Sequence, residues 1–391
     1  MRYVRWLFEM FTNQLRNEAT FVKVAVDLTP IYDHLTGIER YNINITKELI
    51  KQYRGDQYVL VFKEEVHKEF EDIVKQSNVQ FFVLKECNKL WFTQFRLLAA
   101  MNRIEADFYL FLSFTSPVFF KKERTISAIH DLTCWDCPES IPTKMKYYYR
   151  WTFKAAAKND WKTVTVSKFS QNRICDKYGL KREDVPVIYD GLSEVFRTQS
   201  KVDKRAICNK YGIPEDYILS LSTVEPRKNM QLLISAYQEL DNEFLPDLVL
   251  AGRKGWKLDE IISSVNPNSR NKIHFTGFVA DEDLPGLYAS AKLFVFPSKY
   301  EGFGLPLIEA MSQRVLVLSS DAASLPEVVD VHGILFESDS IESLKAEMLY
   351  CLSLSKYERE KIVNAAQLAA YRFNWGREAK KLHRIMTSGL D

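Results

Sequence analysis

The chain has 391 residues, 46% hydrophobic and 27% charged, with a formal net charge of +2. That is too much globular chain for one ordinary core, and the near-balanced charge excludes a disordered chain or a strongly basic nucleic-acid binder. No apolar run reaches the roughly 18 residues of a spanning helix, and residues 1–20 lack the apolar core and cleavage site of a signal peptide, so a cytoplasmic protein is expected.

Short β-rich runs alternate with amphipathic stretches along the chain. Strands are predicted at 21–28, 57–62, 79–84, 107–113, 125–131, 162–167 and 185–191, then at 216–222, 247–252, 272–277, 292–298, 314–320 and 333–337. Most are continuously apolar, as strands buried on both faces should be. With helical stretches between them, they imply an α/β protein with parallel sheets, doubly wound and Rossmann-like. The polar stretch 192–215 breaks the pattern, and the domain boundary is placed there, with one domain over 1–195 and a second over 196–375. Two such domains leave a cleft, and ligands bind just beyond the carboxyl ends of the strands.

The chemistry-bearing residues follow strands. "LTPIYDHLTGIERYN" (28–42) reads as a loop between the first strand and the first long helix. Gly37 there lets the backbone approach a phosphate, with Thr36 and Arg40 as neighbours. One glycine is not the fingerprint of a dinucleotide site, which argues against a dehydrogenase. His130 ends the run "AIHDL" on the cleft side. Cys134 and Cys137 form a lone C-x2-C among six scattered cysteines, too little for a zinc site or a disulfide framework, and no metal is expected. In "TKMKYYYRWTFKAAAKNDWK" (143–162), Lys146, Arg150, Lys154 and Lys158 recur every four residues, so they share one helical stripe interleaved with aromatics. That stripe reads as a solvated face or as a patch facing a membrane or acceptor, to which "MRYVRWLFEMF" at the N-terminus would add an interfacial helix.

"EPRKN" (225–229) puts Arg227 and Lys228 side by side between a strand and a helix, where two cations can neutralise a diphosphate. "FVFPSKYEGFGLPLIEAM" (294–311) is a strand, a glycine turn and a helix start, with Pro306 suited to the first helical position. Backbone N–H groups near Phe303, Gly304 and Leu305 favour an anion. Glu301 and Glu309, eight positions apart, then suit hydroxyl groups on either side of a phosphate. The same spacing also suits a plain strand–turn–helix.

This last segment resembles the E-x7-E signature of the GT-B glycosyltransferases of family 4. "LSTVEPRKNMQLLISAYQEL" (221–240), "LVLAGRKGW" (248–256), "IHFTGFVADEDLPGLYASAKLFVFPS" (273–298) and "ASLPEV" (323–328) match that family in order, as do "TGIERY" (36–41), "AIHDL" (128–132), "VTVSKFSQNRI" (164–174) and "FNWGREAKKL" (373–382). The resemblance implies two domains facing across a cleft, the first on the acceptor side and the second binding a nucleotide-diphosphate sugar. It implies transfer with retention of configuration, with no cofactor. It further implies that a last helix, about 376–391, packs back onto the first domain.

The resemblance implies catalytic roles for His130, Lys228 and Glu301, and donor binding by Gly37, Arg227, Lys228, Arg253, Glu301, Gly302, Phe303, Gly304, Leu305 and Glu309. Lys228 would contact the diphosphate, His130 and Glu301 the donor sugar, and Glu309 the ribose. Many relatives carry an arginine where this chain has Ser222, and Arg227 or Arg253 would have to replace it. The "EPRKN" form is similar to that of bacterial mannosyl- and rhamnosyltransferases of surface polysaccharide assembly. A mannose or rhamnose donor is therefore favoured, with a saccharide or lipid-linked acceptor, possible placement at the inner face of the membrane and no nucleic-acid partner. Two other readings stay open. One is a sugar-nucleotide epimerase of the same fold. The other is a non-catalytic scaffold, which Ser222 and "SQRV" at 312–315 would suit.

Overall fold

The computed structural model describes residues 21–32, 35–85, 92–198, 203–223, 225–240, 245–253, 262–263 and 265–388. The expected N-terminal interfacial helix lies outside them. The first sheet holds β1 (Lys23–Asp27), β2 (Gln57–Lys63), β3 (Val79–Leu84), β4 (Phe108–Phe111), β5 (Thr125–Ala128) and β6 (Lys162–Val164) in the order β3-β2-β1-β4-β5-β6. The second holds β7 (Tyr217–Leu221), β8 (Asp247–Ala251), β9 (Ile273–Gly277), β10 (Leu293–Phe296), β11 (Leu316–Ser320) and β12 (Ile334–Phe336) in the order β12-β11-β10-β7-β8-β9. Every pairing is parallel. The strands are apolar because helices cover both faces; all four residues of β4 and all four of β10 are buried. These are two Rossmann-like domains.

Strand order reverses between β1 and β4 in the first sheet and between β7 and β10 in the second. Loops leaving such a point diverge and open a crevice. The segment 28–36 follows β1, "EPRKN" follows β7, and "EGFG" follows β10. The topology thus delivers three of the sequence motifs to two switch points.

The helices include α1 (Gly37–Gln52), α2 (Thr143–Asn159), α3 (Lys168–Tyr178), α4 (Leu305–Ser312) and α5 (Trp375–Thr387), and α1 and α4 border the cleft. Helix α5 packs against α1. There Gln52 Nε2 donates to the Gly376 carbonyl at 3.0 Å, and the His383 ring lies 3.4 Å from that of Tyr53. One hydrophobic cluster runs from Val24 and Leu60 through Leu219, Phe296 and Leu307 to Trp375 and Leu382, so the two domains share a core along this seam.

Two local expectations are corrected. Residues 185–191 do not form a strand; Val187 makes an isolated bridge with Thr165. Pro186 has no N–H to donate, so only the Pro186 carbonyl and the Ile188 N–H bond to Thr165. The "loop" 28–42 ends early, because Thr36 and Glu39 cap a helix that starts at Gly37. Glu39 accepts the Thr36 backbone N–H at 2.8 Å and its hydroxyl as well.

Buried carboxyls give the fold a pH dependence. Burial pushes Asp160 up to about 7 against a hydrogen bond from Ser116, and Asp27 up to about 6 against bonds from Thr29. A carboxyl whose folded pKa is raised stabilises most below its unfolded pKa, and that contribution fades as pH rises through the folded value. Asp160→Asn removes a group that burial resists ionising. The stability difference between variant and wild type therefore moves in the variant's favour as pH rises from about 4 to about 8. Urea unfolding across that range checks it; a difference independent of pH means that folding does not raise the Asp160 pKa above its unfolded value.

Candidate active site

The cleft is built around the loop that leaves β10. Gly304 has φ 117°, a conformation that favours glycine. A Cβ on Gly302 would lie 2.7 Å from the His130 carbonyl oxygen, so glycine lets this loop touch the end of the first sheet. Ser324 fixes the turn by donating to the carbonyls of Glu301 and Phe303, each at 2.9 Å. The helix α4 then begins at Leu305, and Pro306 is its second residue, one later than expected. N–H groups in a first turn have no intrahelical partner.

A cavity of about 480 Å³ opens there. It gathers Gly37 and His130 from the first domain with Arg227, Lys228, Arg253, Glu301, Gly302, Phe303, Gly304, Leu305 and Glu309 from the second. Every residue expected at the donor and catalytic positions lines this one space.

Glu301 is the electrostatic hub. Lys228 Nζ lies 2.5 Å from its Oε1, and Arg227 Nη1 lies 2.8 Å from its Oε2. Burial pushes Glu301 up, but Lys228 and then Arg227 outweigh it and hold the carboxyl at about 2. Burial and the neighbouring Arg227 push Lys228 down, against the pull of Glu301. The carboxylate thus keeps two adjacent cations together when no anion lies between them. A bound diphosphate would share those cations with Glu301.

Glu309 is different. Burial pushes it up to about 6, against Arg40 and a hydrogen bond from the Tyr288 hydroxyl at 3.1 Å. It is an ionised acceptor only above that pH. His130 is partly buried, and desolvation lowers its pKa. Its Nε2 sits 2.9 Å from the Leu112 carbonyl, so Nε2 carries the proton and Nδ1 is left to accept.

Ser222 stands on the same wall with its hydroxyl turned to the Thr223 carbonyl. Arg253 is close by in the lining, its guanidinium 4.9 Å from the centre of the Phe278 ring.

The patch on α2 is not brought to this cavity, and Arg150 is drawn off the stripe. Its Nε donates to the Cys134 carbonyl at 2.9 Å, and its guanidinium covers the Trp135 ring at 4.0 Å. Lys154 and Lys158 are exposed, and Lys146 lies near the Tyr147 ring.

Sequence reasoning missed several residues. Asp190 lines the cavity from the first domain; it is buried, with no hydrogen-bond partner for Oδ1, and burial and then Glu309 raise its pKa. Its signal was the "YDG" that closes the 185–191 run. Asp281 was also missed; it pairs with Arg40, a residue expected beside Gly37, and joins the two domains at 2.5 Å. A second recess of about 280 Å³ meets the first at Ile38, His130, Asp131, Glu225 and Arg227. Its walls carry Phe114, Tyr149 and Phe153, whose rings stack in series with centroids 6.1 and 5.7 Å apart. The tyrosine-rich run was visible in sequence; its meeting with Phe114 was not.

Known proteins share this fold. Residues 35–194 match the model described as "Glycosyltransferase Family 4", and residues 203–368 match "Glycosyl transferases group 1". Over 372 residues the chain is 30% identical to the O-antigen chain mannosyltransferase B of Escherichia coli, covering 90% of this chain and 96% of that protein. The chain belongs to the family 4 glycosyltransferases. A shorter match, 38% over 172 residues, is to the serotype-specific mannosyltransferase WbdA of Escherichia coli, covering 43% of this chain and 21% of that one. Among solved structures, Anabaena Alr3699/HepE in complex with UDP and glucose superposes with a TM-score of 0.73 at 18% identity, over 94% of this chain and all of that one. The fold is GT-B, and the glycosyltransferase moves a sugar from a nucleotide-diphosphate donor to an acceptor.

Proposed function

We propose that this glycosyltransferase moves mannose from GDP-mannose, with retention, onto a saccharide or lipid-linked saccharide in cell-surface polysaccharide synthesis. The observation that carries the reading is the sequence of groups that line the cavity. Along the chain the lining runs from Glu301 with its two cations, through the glycine loop, to Glu309. A sugar, a diphosphate and a ribose fit that order. The mannosyltransferase names of the relatives in Escherichia coli support mannose.

In this reading the donor C–O bond to phosphate breaks as the acceptor oxygen bonds to the anomeric carbon on the same face. The acceptor proton passes to the departing phosphate oxygen. Lys228 and Arg227 meet the growing phosphate charge, Arg253 stands in for the cation absent at Ser222, and the N–H groups of 303–305 add their dipoles. Glu301 orients the donor sugar, His130 Nδ1 accepts from one of its hydroxyls, and Glu309 holds the ribose. The recess walled by Phe114, Tyr149 and Phe153 takes the acceptor sugar, whose faces suit aromatic rings. Residues 1–195 are then the acceptor domain and 196–375 the donor domain. Among the described residues no helix is long and apolar enough to cross a membrane. Lys154 and Lys158 would place the enzyme against the inner face of one.

Thermal unfolding with GDP, UDP and dTDP tests the donor. A nucleotide at a hundred times its dissociation constant stabilises by about 2.7 kcal/mol. GDP is expected to give the largest shift at equal concentration. A larger shift with UDP or dTDP rejects the guanosine donor, and no shift with any of the three rejects the nucleotide site.

A further inference from the structure

Behind the donor loop lies a third concavity, of about 540 Å³, between the end of the first domain, the second domain and α5. It is not part of the donor cavity, although Phe303 has a place in both linings. Its floor is aromatic: the Phe303 ring lies 6.1 Å from that of Tyr189 and 5.3 Å from that of Phe373. Five cations stand around it: Arg372, Arg377, Lys380, Lys381 and Arg384. The four on α5 are spaced three, one and three residues apart, so they share one helical face. The opposite face buries Ala379, Leu382 and Met386.

The recess also contains three acids, Glu327, Asp330 and Glu378, which leaves two positive charges in excess. Two of the acids are already engaged. Glu327 accepts the backbone N–H groups of Lys168 and Phe169 at 2.9 and 3.1 Å and the Tyr189 hydroxyl at 2.7 Å. Glu378 accepts the Tyr189 N–H at 3.0 Å. Lys381 is bonded to the Val187 carbonyl and Arg372 to that of Ala369. Arg377, Lys380 and Arg384 make no ion pair among the described residues. All three side chains are exposed, and they border the recess from one face of α5, where an anion with several acceptor oxygens can meet more than one of them.

We propose that this recess is a second anion site, which takes a phosphate-bearing ligand between Arg377, Lys380 and Arg384. Calorimetry of the full chain with pyrophosphate, beside sedimentation with phosphatidylcholine vesicles with and without phosphatidylglycerol, tests it. The probe variant is the triple Arg377→Glu, Lys380→Glu, Arg384→Glu; a triple Gln variant replaces it if the reversal disturbs the melting temperature. Wild type is expected to bind two equivalents of pyrophosphate, one in the donor cavity, and the triple variant to weaken the second by about tenfold or more, as loss of charge-assisted hydrogen bonds requires. Loss of that equivalent identifies a soluble phosphate ligand. Loss of binding to phosphatidylglycerol vesicles alone identifies a lipid headgroup phosphate. A triple variant that matches wild type in both assays overturns the site.

Discussion

Replacing Lys228 by alanine is expected to lower kcat by about a hundredfold or more, with little change in melting temperature. The lysine is nearly buried, and its ammonium rests on Glu301 at 2.5 Å, beside the space assigned to the diphosphate. Charge grows on the leaving phosphate as the glycosidic bond breaks, so a fixed cation there stabilises the transition state more than the ground state. The fold is spared because Arg227 stays on the other oxygen of Glu301, and the carboxylate is not left alone in the interior. Steady-state rates and thermal unfolding of the variant measure both parts. A Lys228→Ala protein with near-normal kcat would place the essential charge on Arg227 or Arg253 instead.

The two glutamates are expected to fail in different ways. Glu301→Gln lowers kcat strongly, because the donor sugar changes charge and shape most in the transition state. Affinity for the free nucleoside diphosphate holds or improves, since the amide no longer neutralises Arg227 and Lys228. Glu309→Gln weakens the nucleotide sugar and the free nucleotide alike, because the ribose belongs to both. Above its pKa of about 6, wild-type Glu309 is an acceptor on both oxygens, and the amide removes one of them. Calorimetry with the nucleoside diphosphate, beside steady-state kinetics, separates the pair. If Glu301→Gln loses nucleotide affinity as badly as Glu309→Gln, both residues support the loop rather than read the ligand.

Much of this site is legible in the sequence because it hangs on strand ends. A continuous apolar run followed by a glycine turn or a pair of cations marks a switch-point loop. Glu301, Lys228 and His130 can be found that way. Contacts between domains are not legible, since spacing within one segment says nothing of the wall it will meet. Asp190 opposite Glu309 and Arg40 on Asp281 belong to this class, and Phe114 against Tyr149 is the same case within the first domain, between segments far apart in sequence. The periodicity of α2 places Arg150 on a stripe, but Trp135 and the Cys134 carbonyl decide where its guanidinium goes. Arg314 is a further case. It holds a left-handed turn in "SQRV", at φ 62°, where glycine would be favoured, with its guanidinium paired to Glu360.

The central claim is that the cleft transfers a sugar with retention. The most direct measurement supplies the purified chain with GDP-mannose and with UDP- and dTDP-sugars, in the presence of mannoside acceptors. Proton NMR then follows the anomeric signals and the nucleoside diphosphate released. The expected result is GDP released in step with a new α-mannoside, the same configuration as in the donor. Three results would contradict the account: a β-linked product, a donor sugar epimerised without transfer, or no nucleoside diphosphate released from any donor.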